Sequence, residues 1–163
     1  MTALSFEYLD KSTFPKMAPA LFDILYCNMS VIAPSGQSRE DEKRAWLNAV
    51  GEGLKRDARH IVLIKDGDTL AGFFQYYVNS STFMMEEVQL KEEYRKKGIL
   101  RKLYGFLLPH IPDTTPNVEA FADLRNARSM DILLKMGLSP IAEEGGLCRF
   151  RGSLEGLKKW TFK

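Results

Sequence analysis

Apolar residues recur along this chain with two different periods, and the points where the period changes divide it into elements. From Leu4 to Leu9 apolar and polar positions alternate, which predicts a strand. Phe14, Met17, Leu21, Leu25 and Met29 then recur at steps of three and four, placing them on one face of a helix that Pro34-Ser35-Gly36 ends. Ser38 followed by Asp41 resembles an N-cap, and Trp46, Ala49, Val50 and Leu54 give a second amphipathic helix. His60 to Lys65 and Thr69 to Val78 are rich in Ile, Val, Phe and Tyr. Joined by Asp66-Gly67-Asp68, they predict a β-hairpin. Thr82 to Leu90 is a further strand. Ile99, Leu100, Leu103, Tyr104 and Leu107 form a helical stripe that stops near Pro109. Val118 to Ala122 is a short strand, and Ser129 to Met136 a helix with Gly137 as its C-cap. Two last strands, Leu138 to Ala142 and Leu147 to Phe150, flank a Gly145-Gly146 turn.

The resulting order is β-α-α-β-β-β-α-β-α-β-β, an α/β (α+β) class in which antiparallel hairpins surround one βαβ unit. The sheet should therefore be mixed. A chain of 163 residues is long enough to enclose one core, so the expectation is a single domain over 1–163. With 45% hydrophobic and 27% charged residues the composition is that of a soluble globular protein. The net charge of +2 gives no bulk attraction to nucleic acid or to an anionic membrane, and neither is expected as a partner. The longest apolar stretch, Met17 to Ala33, is interrupted by Pro19, Asp23 and Asn28 and is too short to span a bilayer. The N-terminus does not read as a signal peptide. Cys27 and Cys148 are far apart and belong to no CxxC or Cys/His cluster, so no metal is expected. Free thiols in a cytoplasmic protein are the expectation.

The chemistry concentrates between Met84 and Arg101. A strand ending in Glu86-Glu87-Val88-Gln89-Leu90 runs into the turn Tyr94-Arg95-Lys96-Lys97-Gly98, and a helix starts there. Free N–H groups at a helix start, together with its dipole, attract phosphate. Arg95, Lys96, Lys97 and Arg101 add full charges, and Gly98 permits close approach to the backbone. A diphosphate such as that of coenzyme A suits this turn. The same charges also suit a plain solvated helix cap.

This stretch resembles the central motif of the GNAT N-acetyltransferase superfamily, a strand leading through an Arg/Gln-x-x-Gly-x-Gly/Ala turn into a helix. Here the turn reads Arg95-Lys96-Lys97-Gly98-Ile99-Leu100, preceded by Tyr94. Downstream, Asn126-x-x-Ser129-x-x-Ile132-Leu133-x-Lys135-x-Gly137-Leu138 resembles the second signature of the same family. The resemblance implies a GNAT-like mixed, mostly antiparallel central sheet of about seven strands flanked by about four helices. It also implies acetyl-CoA as acyl donor without a metal, and direct attack of a primary amine, from a small molecule or a peptide, on the thioester. The cofactor would be bound by Val88, Leu90, Arg95, Lys96, Lys97, Gly98, Ile99, Leu100 and Arg101, with Asn126 and Ser129 on the second signature. The oxyanion donor it implies is a strand N–H near Leu90.

A base must free the attacking amine of its proton, and the resemblance places a carboxylate on the Thr82–Leu90 strand in that role. Glu86 and Glu87 lie there, on opposite faces if the strand is regular, and Glu86 aligns better with the position of the base. Both also suit a role as exposed carboxylates or ion-pair partners. Asn126 serves either the pantetheine arm or the cap of the helix that follows. Tyr76 and Tyr77 alternate faces, one towards an acceptor cleft or both in aromatic packing. Cys148 is either an acyl carrier or a small core residue. His60 and His110 are structural or exposed.

Two positions depart from the family pattern. Leu100 replaces a Gly or Ala at the helix start, and Leu133 replaces a Tyr that protonates the leaving thiolate in many members. The resemblance implies that acceptor specificity sits around the first two helices, where the polar link Ser30 to Arg44 would border the acceptor site, and on the last strands. Monomer and homodimer both stay open. Two other readings compete with the enzyme: a catalytically weak acyl-CoA-binding or sensor module, and a polyanion binder using Arg95 to Arg101.

Overall fold

The computed structural model describes residues 3–56 and 59–163. The strands are β1 (Leu4–Tyr8), β2 (His60–Asp66), β3 (Thr69–Val78), β4 (Thr82–Leu90), β5 (Asn117–Asp123), β6 (Ser139–Glu144) and β7 (Leu147–Ser153). The helices are α1 (Phe14–Ile32), α2 (Arg39–Arg56), α3 (Ile99–Leu107), α4 (Ala127–Lys135) and α5 (Leu154–Thr161). The strands form one seven-stranded sheet in the order β1-β2-β3-β4-β5-β7-β6. It is mixed as expected. β1–β2, β5–β7 and β6–β7 are antiparallel, while β4 and β5, joined through α3, are parallel. Among the described residues no helix is long and apolar enough to cross a membrane.

Two compact units divide the chain: one runs to Gln75 and adds Glu87–Arg95, and the other is Tyr76–Glu86 with Lys96–Lys163. In the first, α1 and α2 cover β2 and β3. Phe14, Ala18 and Leu21 of α1 meet Val50 and Leu54 of α2 over Ile61, Leu63 and Phe73. The Trp46 ring lies about 6 Å from those of Phe14, Phe22 and Phe73. Each buried Leu, Ile, Val or Phe of this cluster contributes roughly 1.5–3 kcal/mol through removal of its apolar surface from water.

α1 opens after a 3-10 turn, Lys11–Thr13, whose entry is capped by Asp10 accepting from the Ser12 N–H at 3.0 Å. It continues through Pro19, which gives up one helical N–H without ending the helix. α2 starts where Ser38 Oγ accepts from the Asp41 N–H at 3.2 Å. Its acidic first turn (Glu40, Asp41, Glu42) and basic last turn (Lys55, Arg56) complement the helix dipole. The expected polar link Ser30 to Arg44 is correspondingly shorter, because the two helices take up its ends and leave only 33–38 outside them.

In the second unit α4 ends as its Gly137 predicts. Gly137 adopts φ 95° and its N–H donates to Leu134 O at 3.0 Å, while the Leu138 N–H donates to Leu133 O at 3.0 Å. This pair of bonds is the Schellman closure of a helix. The C-terminal segment adds α5, a helix the hydrophobic pattern does not announce. Ser153 Oγ caps it by accepting from the Gly156 N–H at 2.9 Å, and Leu154, Leu157 and Thr161 are its buried face. α5 packs on α3, β5 and β7. Lys158 Nζ pins it to Asp113 Oδ1 at 2.8 Å.

Gly72 is where the first unit tolerates no side chain. A Cβ there would stand 2.2 Å from the Gln89 carbonyl oxygen and 3.1 Å from Leu90 Cα. Gly72→Ala should therefore cost about 2 kcal/mol through a collision with backbone. Scanning calorimetry should record a Tm lower by roughly 4–8 °C. An unchanged Tm would show that the two strands separate there freely.

Candidate active site

Within the second unit, β4 registers with β5 from Thr82↔Asn117 to Met85↔Ala120. Glu86 is the first residue of β4 past that registered stretch. It is half-buried. Tyr76, the residue of the expected tyrosine pair that is buried, packs edge-on against Phe83 at 5.3 Å. Cys148 is buried, and both cysteines are free thiols. Leu133 lies in the interior at 7% exposure.

The turn that feeds α3 has an unusual backbone. Lys96 adopts φ 60°, the one non-glycine residue with positive φ among the described residues, and Gly98 adopts φ 71° as the residue before α3. A left-handed lysine costs of the order of 1–2 kcal/mol. Left-handed Gly98 followed by helical Ile99 turns successive N–H groups towards one side, a geometry that suits an anion. No side chain caps α3. The first bond onto its entry is the long one from the Lys102 N–H to Gly98 O at 3.5 Å, so Ile99, Leu100 and Arg101 form an N-terminal turn with no capping side chain over it. Ile99 is buried and anchors the helix, Leu100 is half-buried, and a Cβ on Gly98 would meet nothing within 4 Å. Lys96 and Lys97 are exposed, so their charges border the turn and do not fill it. The arrangement fits a diphosphate: backbone donors, room at the glycine, and positive charge at the rim.

Arg101, expected among the phosphate ligands, has its guanidinium 4.8 Å from the centroid of the Trp160 ring of α5. Tyr104 meets the same indole edge-on at 6.0 Å, and burial pushes its phenol far above the ordinary range. Asn126 caps α4, its Oδ1 accepting from the Ser129 N–H at 3.1 Å, so these two expected residues are engaged with each other. A further charged cluster joins β5 to β7. Glu119, 4% exposed, accepts from Arg149 Nε at 2.5 Å, and Arg151 Nε lies 3.9 Å from its other oxygen. Among the described residues no group of three or more His, Cys, Asp or Glu side chains could hold a metal ion.

The first unit holds the remaining expected residues: Glu87, Val88, Leu90 and Arg95. Glu87 Oε1 accepts from Gln89 Nε2 at 2.6 Å, as neighbours two apart on one strand face can. Gln89 Oε1 in turn accepts from Asn28 Nδ2 at 2.9 Å, and Asn28 Oδ1 accepts from Arg95 Nη2. Structure thus joins Glu87 to Arg95 through two amides that neither sequence motif assigns to the site. Tyr94, just before Arg95, donates its hydroxyl to Asp66 Oδ2 at 3.0 Å. Withdrawal from water, and then that bond, raise its phenol above the ordinary range. His60 stacks edge-on with Tyr8 at 5.7 Å and His110 meets Phe106 at 5.5 Å, so both sit in aromatic contacts.

A family model described as Acetyltransferase (GNAT) family matches residues 18–138. No curated protein is similar in sequence. Among solved structures the chain is similar to an acetyltransferase from Thermus thermophilus (TM-score 0.72, 18% identity, 93% of this chain and 97% of that one covered). It is also similar to a PaiA N-acetyltransferase from Thermoplasma acidophilum in complex with coenzyme A (TM-score 0.71, 13% identity, 93% and 99%). A third is the spermidine N-acetyltransferase from Vibrio cholerae in complex with CoA and spermine (TM-score 0.62, 12% identity, 95% and 98%). At these identities the likeness is one of fold.

The cap at Asn126 yields a direct check. Asn126→Ala should lower stability by about 1 kcal/mol, and Asn126→Ser, which keeps an acceptor for the Ser129 N–H, should recover most of it. Equal Tm values for the two variants would show that Asn126 does not act as a cap.

Proposed function

The chain belongs to the acetyltransferase (GNAT) family, and from that premise we propose that it is an N-acetyltransferase. It takes its acetyl group from acetyl-CoA and gives it to a primary amine of a small molecule or peptide, the whole chain acting as one catalytic domain in the cytoplasm. The observation that carries this reading is the turn Lys96–Gly98 with the uncapped start of α3. It matches what a diphosphate needs, and the coenzyme A complexes among the structural neighbours support it. The spermine-bound neighbour supports an amine as acceptor.

When bound, acetyl-CoA supplies an activated acyl thioester; the chain's residues do the rest. N–H groups at the start of α3 and the ammonium groups of Lys96 and Lys97 would hold the diphosphate oxygens. Arg95 adds a guanidinium at the entry of the turn. The N–H groups of β4 towards Leu90, downstream of its registered stretch with β5, would face the developing oxyanion. Glu86 takes the proton of the attacking ammonium, directly or through a water, because a protonated amine has no lone pair to attack with. Glu87, the alternative for this role, points to the opposite face if the strand is regular, and Gln89 donates to its carboxylate. Leu133 offers no proton to the leaving thiolate, and we propose that water relays to it the second proton, which the nitrogen sheds as the tetrahedral adduct collapses.

A thermal shift measurement tests the reading. Coenzyme A or acetyl-CoA at a hundred times Kd should stabilise the wild type by about 2.7 kcal/mol, a Tm rise of roughly 5–10 °C. Gly98→Glu, which puts a carboxylate where the diphosphate would lie, should abolish the rise. No shift in wild type would sink the cofactor assignment.

The chemistry is tested separately with an amine panel. Glu86→Gln should lower kcat by a factor of about 10² or more while acetyl-CoA binds as before. Unchanged turnover across pH would move the base elsewhere. If wild type binds acetyl-CoA but releases no thiol with any amine, the weak binding or sensor module is the correct description.

A further inference from the structure

Asn28 lies in the middle of α1, on the face that Leu21 and Ile24 also bury, and is itself 9% exposed. A polar side chain there costs free energy unless every hydrogen-bonding atom is served. Asn28 is fully served, and by partners of different kinds. Its Nδ2 donates to Gln89 Oε1 and to the Leu90 carbonyl, each at 2.9 Å, and its Oδ1 accepts from Arg95 Nη2 at 2.5 Å. Gln89, 7% exposed, passes the chain on by donating Nε2 to Glu87 Oε1 at 2.6 Å.

The direction of each bond is forced. A backbone carbonyl only accepts, so the Leu90 oxygen demands the Asn28 amide nitrogen, and a guanidinium only donates, so Arg95 demands the amide oxygen. With Nδ2 set, Gln89 must turn its own oxygen towards Asn28, which leaves its nitrogen for the Glu87 carboxylate. Two amides thereby form an oriented relay from the arginine that opens the turn to the carboxylate next in sequence to Glu86. An apolar pair of the same volume would pack α1 on β4 without such ends, so burial alone does not account for the choice of residues.

We infer that Asn28, seconded by Gln89, is a positioning residue: it fixes the guanidinium of Arg95 for phosphate binding. The inference rests on the acyl-CoA reading of the turn. Arg95 carries five N–H donors, and the bond to Asn28 fixes the plane of the guanidinium while leaving others to meet an anion. Without Asn28 the long side chain regains its rotamer freedom, which phosphate binding would then have to remove. Asn28 thus ties Arg95 to α1, although the two residues lie 67 positions apart in sequence.

The test is calorimetric titration of the whole chain with coenzyme A. Asn28→Leu should weaken binding about tenfold, Arg95→Met by a similar factor, and the double variant by no more than twofold beyond either. A core variant in the first unit, Ile61→Ala, chosen for comparable loss of Tm, should bind coenzyme A like wild type. In the acetyl-transfer assay the loss in Asn28→Leu should fall on the KM for acetyl-CoA more than on kcat.

Should Asn28→Leu fail to fold, Asn28→Asp keeps the volume and gives Arg95 a full counter-charge. It too should weaken coenzyme A about tenfold, and wild-type affinity in that variant overturns the proposal. Wild-type affinity in Asn28→Leu, or additive losses in the double variant, overturns it as well. Absence of coenzyme A binding in the wild type overturns the reading of the turn and the positioning role together. A ligand-free measurement separates the two failures: Arg95→Met should move the side-chain amide resonances of Gln89, two bonds away along the relay. Unmoved resonances mean that the relay itself does not exist.

Discussion

Gly98 holds φ at 71°, and that backbone angle decides where α3 begins and what its first turn faces. A residue with a Cβ resists this conformation, yet Lys96, two positions earlier, adopts it as well. Strain of this kind persists only where the surroundings over-determine it. On the side of α3, the buried Ile99 anchors it. The start of α3 presents N–H groups with no capping side chain, a property that suits an anion.

Charge around this turn is organised more by neighbours than by the turn itself. Of the four cations in the sequence motif, Arg95 is fixed through Asn28 and Arg101 lies over Trp160. Lys96 and Lys97 border the turn. The carboxylates divide in a similar way. Glu87 is tied into the amide relay, and Glu86 is half-buried just past the stretch of β4 registered with β5.

Most of the fold was legible in the sequence, since the elements follow strong local signals. Alternation, runs of β-branched and aromatic residues and the turns between them mark seven strands, and Ser38 and Gly137 mark a helix start and a helix end that the hydrogen bonds reproduce. α5 was missed because its apolar face is only Leu154, Leu157 and Thr161, too short a stripe to show a period. Its Ser153 cap was the available signal. The turn could be read as a phosphate site because its chemistry is contiguous in sequence. Asn28 and Gln89 could not be paired, since they are sixty-one residues apart and only the packing of α1 brings their amides into contact. What the sequence does contain is a polar residue on the apolar face of α1 and another on β4, which marks a buried network without naming its members. Glu119 with Arg149 and Arg151 is hidden for the same reason: it depends on the register of β5 against β7.

On the reading proposed, the N–H groups at the entry of α3 receive the diphosphate of an acyl-CoA. Hydrogen–deuterium exchange on the whole chain, with and without saturating coenzyme A, addresses these groups by position. Slowed exchange should concentrate at the backbone amides of Lys96 to Arg101. Binding accompanied by unchanged exchange there, or by protection only in other segments, would contradict it.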